Sequence, residues 1–139
     1  MTGHRPRRQA PGDGAQLTPV GAAQPVPAVL VAAVTSPAET DHAIAAGADM
    51  IDGSGLTDQD VAALRARHPG LRLWHGSPAA ADADQAGTPA AVIATAAVLA
   101  WLGTPAIRTR HVLPVRRAID MTCSIAGTRL PALTTRGLA

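Results

Sequence analysis

The chain contains no lysine, asparagine, phenylalanine or tyrosine among its 139 residues, so all 12 basic side chains are arginines. Any mechanism that needs a lysine amine or an asparagine carboxamide from these residues is therefore excluded. The formal charge is only +2, and three of the arginines (Arg5, Arg7 and Arg8) lie near the N-terminus. Because the sequence has no basic stripe and only two tryptophans for base stacking, we expect no binding of nucleic acid.

A single cysteine, Cys123, excludes an intramolecular disulfide, and no zinc-binding spacing is present. Its setting, DMTCSIAG, predicts a small buried helix residue, with a reactive thiol as the minor alternative. The N-terminus lacks the apolar core of a signal peptide. No stretch reaches the ~18 apolar residues that span a bilayer. We therefore expect a cytoplasmic protein without membrane contact.

Three regions are predicted along the chain. Residues 1–27 are rich in Pro, Gly, Gln and Arg without periodicity, which is typical of a disordered tail. Residues 28–126 carry the alternating patterns of an α/β domain. Residues 127–139 are predicted to be a C-terminal tail.

Short apolar runs and helical patterns alternate between residues 28 and 126. Strands are predicted at 29–34, 49–52, 71–75 and 106–110, and residues 76–89 are predicted to be a polar loop. Ser36 and Thr57 are predicted to cap the first two helices. This alternation implies a parallel sheet with right-handed crossovers, either doubly wound or part of a (β/α)₈ barrel. Since a complete barrel takes ~250 residues, the predicted fold is a partial or truncated (β/α)₈ TIM-barrel-like parallel sheet with flanking helices.

The stretch from Ala90 to Leu102 is apolar almost all round and indicates a buried or an interface helix. In a partial barrel, this helix and the sheet edges need covering. We therefore expect a homodimer or pairing with a homologue.

Ligands of parallel α/β folds bind at the carboxyl ends of the strands. The residues predicted to bind substrate there are Thr35, Ser36, Asp52, His75, Arg108, Arg110 and His111. Structural alternatives stay open: Asp52 as a turn cap, Thr35 and Ser36 as helix caps, and His75 as a solvated loop residue. No catalytic residue and no metal ligand is assigned.

The run AIRTR places Arg108 and Arg110 on one side of a strand and Thr109 on the other. Two neighbouring guanidiniums repel unless an anion or a carboxylate lies between them. Guanidinium suits bidentate phosphate binding, so a small phosphorylated ligand is one prediction. The alternative is that both arginines are salt-bridged or solvated.

Three segments resemble dihydropteroate synthase, the pterin-binding (β/α)₈-barrel enzyme of folate synthesis. They are VTSPAETDHAIAAGADMID, LRLWHG and AAVIATAAVLAWLGTPAIRTRHVLPVRRAIDM, within residues 29–126. The best-matched part is the end, with an Ala-rich helix, a strand ending in an Arg-x-His-like motif and a final helix. Arg108 takes the place of the motif's arginine. Arg110 stands at its histidine position, with His111 one step later.

The resemblance implies a transferase that condenses pterin diphosphate with 4-aminobenzoate, with Arg108 and Arg110 on the diphosphate and Asp52 on the pterin. Asp52 resembles either the family's second-strand Asp or its fourth-strand position. VTSPAET resembles the third-strand motif, with Val34 in place of its Asp, and LWHG the fifth strand. Magnesium is possible by resemblance, but its asparagine ligand is absent. The family's lysines and its Asp-Pro-Gly-Phe strand are also absent, so a non-catalytic barrel remnant that binds a phosphorylated ligand or a full-length homologue is the alternative.

Overall fold

The computed structural model describes residues 27–129, so nearly all of both predicted tails lies outside the described residues. The described part contains four strands, four α-helices and one 3₁₀ turn. In chain order these are β1 (Val29–Ala33), α1 (Pro37–Ala45), β2 (Met50–Asp52), α2 (Asp58–Arg67), β3 (Ala80–Asp82), the 3₁₀ turn Ala83–Ala86, α3 (Pro89–Trp101), β4 (Ala106–Thr109) and α4 (Val112–Ile125).

The four strands form one parallel sheet in the order β2-β1-β4-β3. The α/β prediction with a parallel sheet is therefore confirmed at this level. β1, the first strand of the described chain, lies beside β4, the last one, with Val29 paired to Ala106 and Ala32 to Thr109. Residues 27–129 form an open sheet of four strands and not the eight strands of a closed barrel.

One face of the sheet packs against the helices. Leu30 and Ala32 of β1, Ile51 of β2 and Ile107 of β4 are buried in one core with side chains from α1, α3 and α4. The α2 helix contacts α1. Because strand side chains alternate between faces, Val31, Ala33, Asp52 and Arg108 lie on the opposite face. That alternation separates the packed face from the face that carries charge.

The structure differs from the predictions for residues 71–89. The 71–75 segment is not a strand of the sheet, since only Leu73 forms an isolated bridge, to Ile51. The predicted polar loop contains β3 instead, which pairs with β4. Alanine and aspartate are poor strand formers, so AAD is a strand because β4 offers it a partner. The connection from Leu73 to β3 therefore runs from one edge of the sheet to the other without a helix.

The helix starts follow the predicted capping residues. The Ser36 hydroxyl accepts from the Glu39 amide at 3.3 Å, and Thr57 forms a capping box with Asp60. At α1 the capping box is not complete, because the Glu39 carboxylate accepts from the amide and hydroxyl of Thr35 and not from the Ser36 amide. Cys123 is buried on α4, as predicted for a small core residue.

Candidate functional site

The carboxyl ends of the parallel strands gather five charged side chains at one edge of the sheet. They come from β2, β3, β4 and the residues just after β3 and β4, and are Asp52, Asp82, Asp84, Arg108 and Arg110. Together with Thr35 and Ser54, four of them line an open cleft of about 460 Å³. Asp52 lies beside this cleft through its bond to Arg108. We call these five residues the charged edge.

Arg108 connects three strands of the charged edge. Its Nε donates to Oδ2 of Asp52 at 2.7 Å, and its Nη1 donates to Oδ2 of Asp82 at 3.0 Å. Asp82 pairs with Arg108 in register on the neighbouring strand. Asp52 lies two strands away, so the Arg108 side chain crosses β1, where the small side chain of Ala33 is the in-register partner of Asp52.

Asp84 organises the second arginine. Its Oδ1 accepts from the Thr109 hydroxyl at 2.7 Å, and its Oδ2 accepts from the backbone and Nε of Arg110 at 3.0 and 3.1 Å. The Asp84 side chain is only 10% exposed, whereas that of Arg110 is 71% exposed. The rest of the Arg110 guanidinium is therefore held in place and open to solvent.

Opposing effects set the ionisation of the buried carboxyl groups. Burial raises the pKa of Asp52, but hydrogen bonds from Arg108 and Ser54 outweigh it and leave the pKa below its usual value. Burial likewise raises the pKa of Asp84, and hydrogen bonds from Thr109 and Arg110 bring it below the usual value. The hydrogen bond to Asp52 raises the pKa of Arg108. Asp52, Asp84 and Arg108 are therefore held in their charged forms at neutral pH.

This geometry argues against the predicted ligand anion between Arg108 and Arg110. Carboxylates of the chain itself hold both guanidiniums, and two donors of Arg108 are already used. Three aspartates face two arginines, so the charged edge is acidic. The alternative that both arginines are salt-bridged or solvated fits this geometry: Arg108 pairs with Asp52 and Asp82, and Arg110 pairs with Asp84 while its other donors face solvent.

The other predicted site residues lie around this edge. Thr35 lines the cleft, and its hydroxyl donates to Glu39 at 3.0 Å. Ser36 is the N-cap of α1. Asp52 also accepts from the Ser54 amide at 3.1 Å, so the turn-capping interpretation is correct beside its ion pair.

The two histidines lie in different hollows. Exposed His75 and Asp52 line a second hollow of about 470 Å³, with Trp74 in its wall. His111 is the N-cap residue of α4 and makes no side-chain cap bond. It lies with Arg110 in a largely apolar groove between α1 and α4. The structure therefore does not bring His75 and His111 together.

Sequence reasoning missed Asp82 and Asp84. Both fall in the segment predicted to be a loop, so neither was placed at a strand end. The available signal was the run ADAD at residues 81–84, three residues before Thr88 and Pro89, which cap and start α3. A carboxylate run between a short apolar segment and a capped helix is the position of a strand end in a β-α unit.

Magnesium does not fit the described residues. No group of three His, Cys, Asp or Glu side chains within residues 27–129 is placed to hold a metal ion. The carboxylates of the charged edge turn toward arginine, threonine and backbone donors instead. No step is assigned to a metal.

Comparison with family models, curated proteins and solved structures finds no match to this chain. Between residues 27 and 129, none of the helices has the length and apolar character to cross a membrane.

Proposed function

We propose that this chain is a dihydropteroate synthase-like protein that binds a pterin at the charged edge of a partial (β/α)₈-type barrel. The observation that carries the proposal is the joining of Asp52 and Asp82 by one guanidinium. This pairing holds two carboxylates from separate strands at the same edge. Carboxylates accept hydrogen bonds, and the pyrimidine ring of a pterin presents neighbouring N–H donors.

The order of the strands supports the barrel part of the proposal. In a (β/α)₈ barrel, successive strands pair and the last strand closes against the first. β1 lies between β2 and the last strand, β4, and β3 lies beside β4. In the proposed barrel, Thr35 and Ser36 therefore follow the first strand rather than the third, and Asp52 ends the second. Leu73, which pairs with Ile51 of β2, takes the third position rather than the fifth.

The charge of the site supports binding of the pterin ring over capture of a diphosphate by Arg108. Ion pairs already neutralise that guanidinium, and an incoming diphosphate at Arg108 would meet Asp52 and Asp82. Of the two arginines at the charged edge, Arg110 is the one whose remaining donors face solvent. The chain has no lysine, and the resemblance assigns lysines to the pterin carbonyl and to a Ser-Arg-Lys motif near the amine substrate. We therefore expect binding of the pterin without condensation by this chain alone.

A fluorescence titration tests the proposal, because pterins fluoresce and Trp74 lies near Asp52. We expect saturable binding of a 6-substituted pterin by the full chain. Asp82→Asn replaces one acceptor oxygen by a donor and should weaken binding about tenfold, since a hydrogen bond to a charged group contributes about 1.5–3 kcal/mol. Asp58→Asn, an exposed acidic position on α2, is the matched control and should bind as the wild type does. Absence of binding at millimolar pterin, or equal affinity of the Asp82 variant, contradicts the proposal.

A second candidate function, binding of another small phosphorylated ligand, is favoured by Arg110. Asp84 orients its guanidinium, which stays 71% exposed. Calorimetry with inorganic diphosphate should give heat with the full chain and much less with Arg110→Gln, whereas Arg65→Gln on α2 should leave the heat unchanged. Turnover of pterin diphosphate with 4-aminobenzoate, followed in the same preparations, would show that the chain also condenses its substrates.

A further inference from the structure

A groove with a volume of about 890 Å³ lies between α1 and the start of α4. It forms because α4 packs mainly against α3 and β1, while α1 packs against α2. Binding sites for small molecules commonly have volumes of about 300–1,000 Å³, so the groove has the size of such a site. It borders the cleft at the charged edge, with which it shares Thr35 and Arg110. We call it the α1/α4 groove.

The walls of the α1/α4 groove are largely apolar and its floor is buried. Ala38 and Ala45 lie on one side of α1 and form part of one wall, while Leu113 belongs to the start of α4. The small alanine side chains leave the space open, and Val34 is buried at its floor. A stable protein partner needs a surface of about 800 Å² on each side. A hollow with a closed apolar floor fits a small molecule with an apolar body instead.

The two charged side chains that line the groove differ in how their charge is compensated. Asp84 pairs with Arg110 at 3.1 Å. The Glu39 carboxylate accepts only from uncharged donors, the amide and the hydroxyl of Thr35, at 2.7 and 3.0 Å. No arginine or histidine within residues 27–129 forms an ion pair with Glu39. The hydrogen bonds from Thr35 lower the pKa of Glu39, so an uncompensated negative charge lies beside the apolar walls at neutral pH.

We propose that the α1/α4 groove binds an amphipathic amine, a small molecule with an apolar body and a protonated amino group. This inference does not depend on the proposed pterin site. The apolar body lies against the alanines of α1, and its burial supplies most of the affinity. The ammonium group pairs with Glu39. An anionic head would meet the carboxylates of Glu39 and Asp84, and an uncharged head would leave Glu39 without a partner. Because exposed ion pairs are weak, the charge of the head changes the affinity by about two- to fivefold.

The fluorescence of N-phenyl-1-naphthylamine, an uncharged apolar probe, tests the groove itself. The titration uses the full chain at about pH 8, where imidazoles of ordinary basicity carry no charge, because His42 and His111 also line the groove. We expect saturable binding. Ala45→Arg places a guanidinium in the apolar wall and should weaken binding at least about tenfold. Ala62→Arg, at an exposed position on α2, is the matched control. Val98→Ser, on the exposed side of α3, removes another apolar surface, and both controls should bind the probe as the wild type does.

Displacement of the probe by three molecules with the same chain tests the head group. Octylamine should displace the probe best, octanamide about two- to fivefold less well, and octanoate least well. Glu39→Gln removes the charge and keeps an oxygen that can accept from Thr35, so octylamine and octanamide should then bind equally. Asp58→Asn on α2, an exposed acidic position, should keep the wild-type order.

Absence of saturable probe binding by the wild type overturns the proposal. Equal binding by the wild type and Ala45→Arg, or a loss that appears only in Val98→Ser, places the probe elsewhere and also overturns it. Octanoate that displaces the probe better than octylamine shows that the groove takes an anion instead. An advantage of octylamine that survives in Glu39→Gln contradicts the pairing with that carboxylate.

Discussion

The Nε atom of Arg108 lies 2.7 Å from Oδ2 of Asp52, although a whole strand separates β4 from β2. The guanidinium reaches across β1 and also contacts Asp82 on the other side. One side chain thereby joins the carboxyl ends of β2, β3 and β4. Because Asp52 is only 8% exposed at its side chain, this ion pair is a structural requirement as well as a part of the candidate site.

Replacement of Arg108 by methionine should destabilise the fold by about 2–3 kcal/mol. Removing one partner of a fully buried pair costs about 3–5 kcal/mol, and the 28% exposure of the Arg108 side chain reduces that cost. Urea unfolding measures the effect. Arg65→Met on exposed α2 should change the stability by less than about 0.5 kcal/mol. The double variant Arg108→Met with Asp52→Asn should recover part of the loss, since Asp52 then no longer carries an unpaired charge. Equal stability of Arg108→Met and wild type would contradict the structural role.

A larger side chain at residue 33 should separate the Arg108 guanidinium from the Asp52 carboxylate. Ala33 lies on β1 beside Asp52, on the side over which Arg108 passes. Ala33→Leu adds three carbons in that path, and overpacking of this kind costs about 1–3 kcal/mol. Thermal unfolding should show a lower midpoint than for Ala62→Leu on exposed α2. A midpoint equal to that of the wild type would mean that Arg108 takes another path to Asp52.

The loop after β2 should be sensitive to a single methyl group. A Cβ added at Gly55 would lie 2.9 Å from the Val34 carbonyl oxygen and 3.3 Å from Cα of Thr35. Both contacts are with the backbone, so Gly55→Ala must push the loop away from the end of β1. We expect a loss of stability and weaker pterin binding, measured by urea unfolding and fluorescence titration. At Gly70 an added Cβ meets nothing within 4 Å, so Gly70→Ala should behave as the wild type. Equal stability and equal pterin affinity of the two variants would contradict this prediction.

Stability should fall in acid. The pKa values of Asp52 and Asp84 are below their usual values in the folded state. Groups of this kind contribute stability above the unfolded-state pKa of about 3.9, and lose it as the pH falls through the lower folded-state value. The urea concentration at the midpoint of unfolding should therefore stay constant between about pH 7 and pH 5. It should decrease once the pH is lower than about 4. Asp84→Asn should have lower stability at neutral pH and a shallower acid decline. Gln59→Ala, an exposed neutral position, should follow the wild-type curve.

Local patterns predicted the elements whose signals lie in their own residues. Ser36 and Thr57 correctly predicted the starts of α1 and α2, and the β-branched run at 29–34 correctly predicted β1. β3 could not be predicted because AAD has no strand pattern of its own and depends on β4 for pairing. LRLWH has such a pattern, but Leu73 finds only one bridge, to Ile51.

About half of the candidate site could be predicted from the sequence. Asp52, Thr35, Arg108 and Arg110 were placed at the carboxyl ends of strands from their sequence positions alone. Asp82 and Asp84 were not placed beside the two arginines, since which strand lies beside β4 depends on pairing between distant segments. The topology therefore decides whether Arg108 is a free cation or a structural one, and it makes Arg108 structural.

The pairing of β1 with β4 has a consequence for synthesis on the ribosome. Of the strands within residues 27–129, β1 is made first, yet one of its two edges is completed only by Ala106–Thr109. Until that segment emerges, Leu30 and Ala32 lack the cover supplied by α3 and α4. Contacts between distant segments slow folding, and unpaired strand edges invite aggregation. Residues 29–33 are therefore a segment that a chaperone would have to protect until β4 is made.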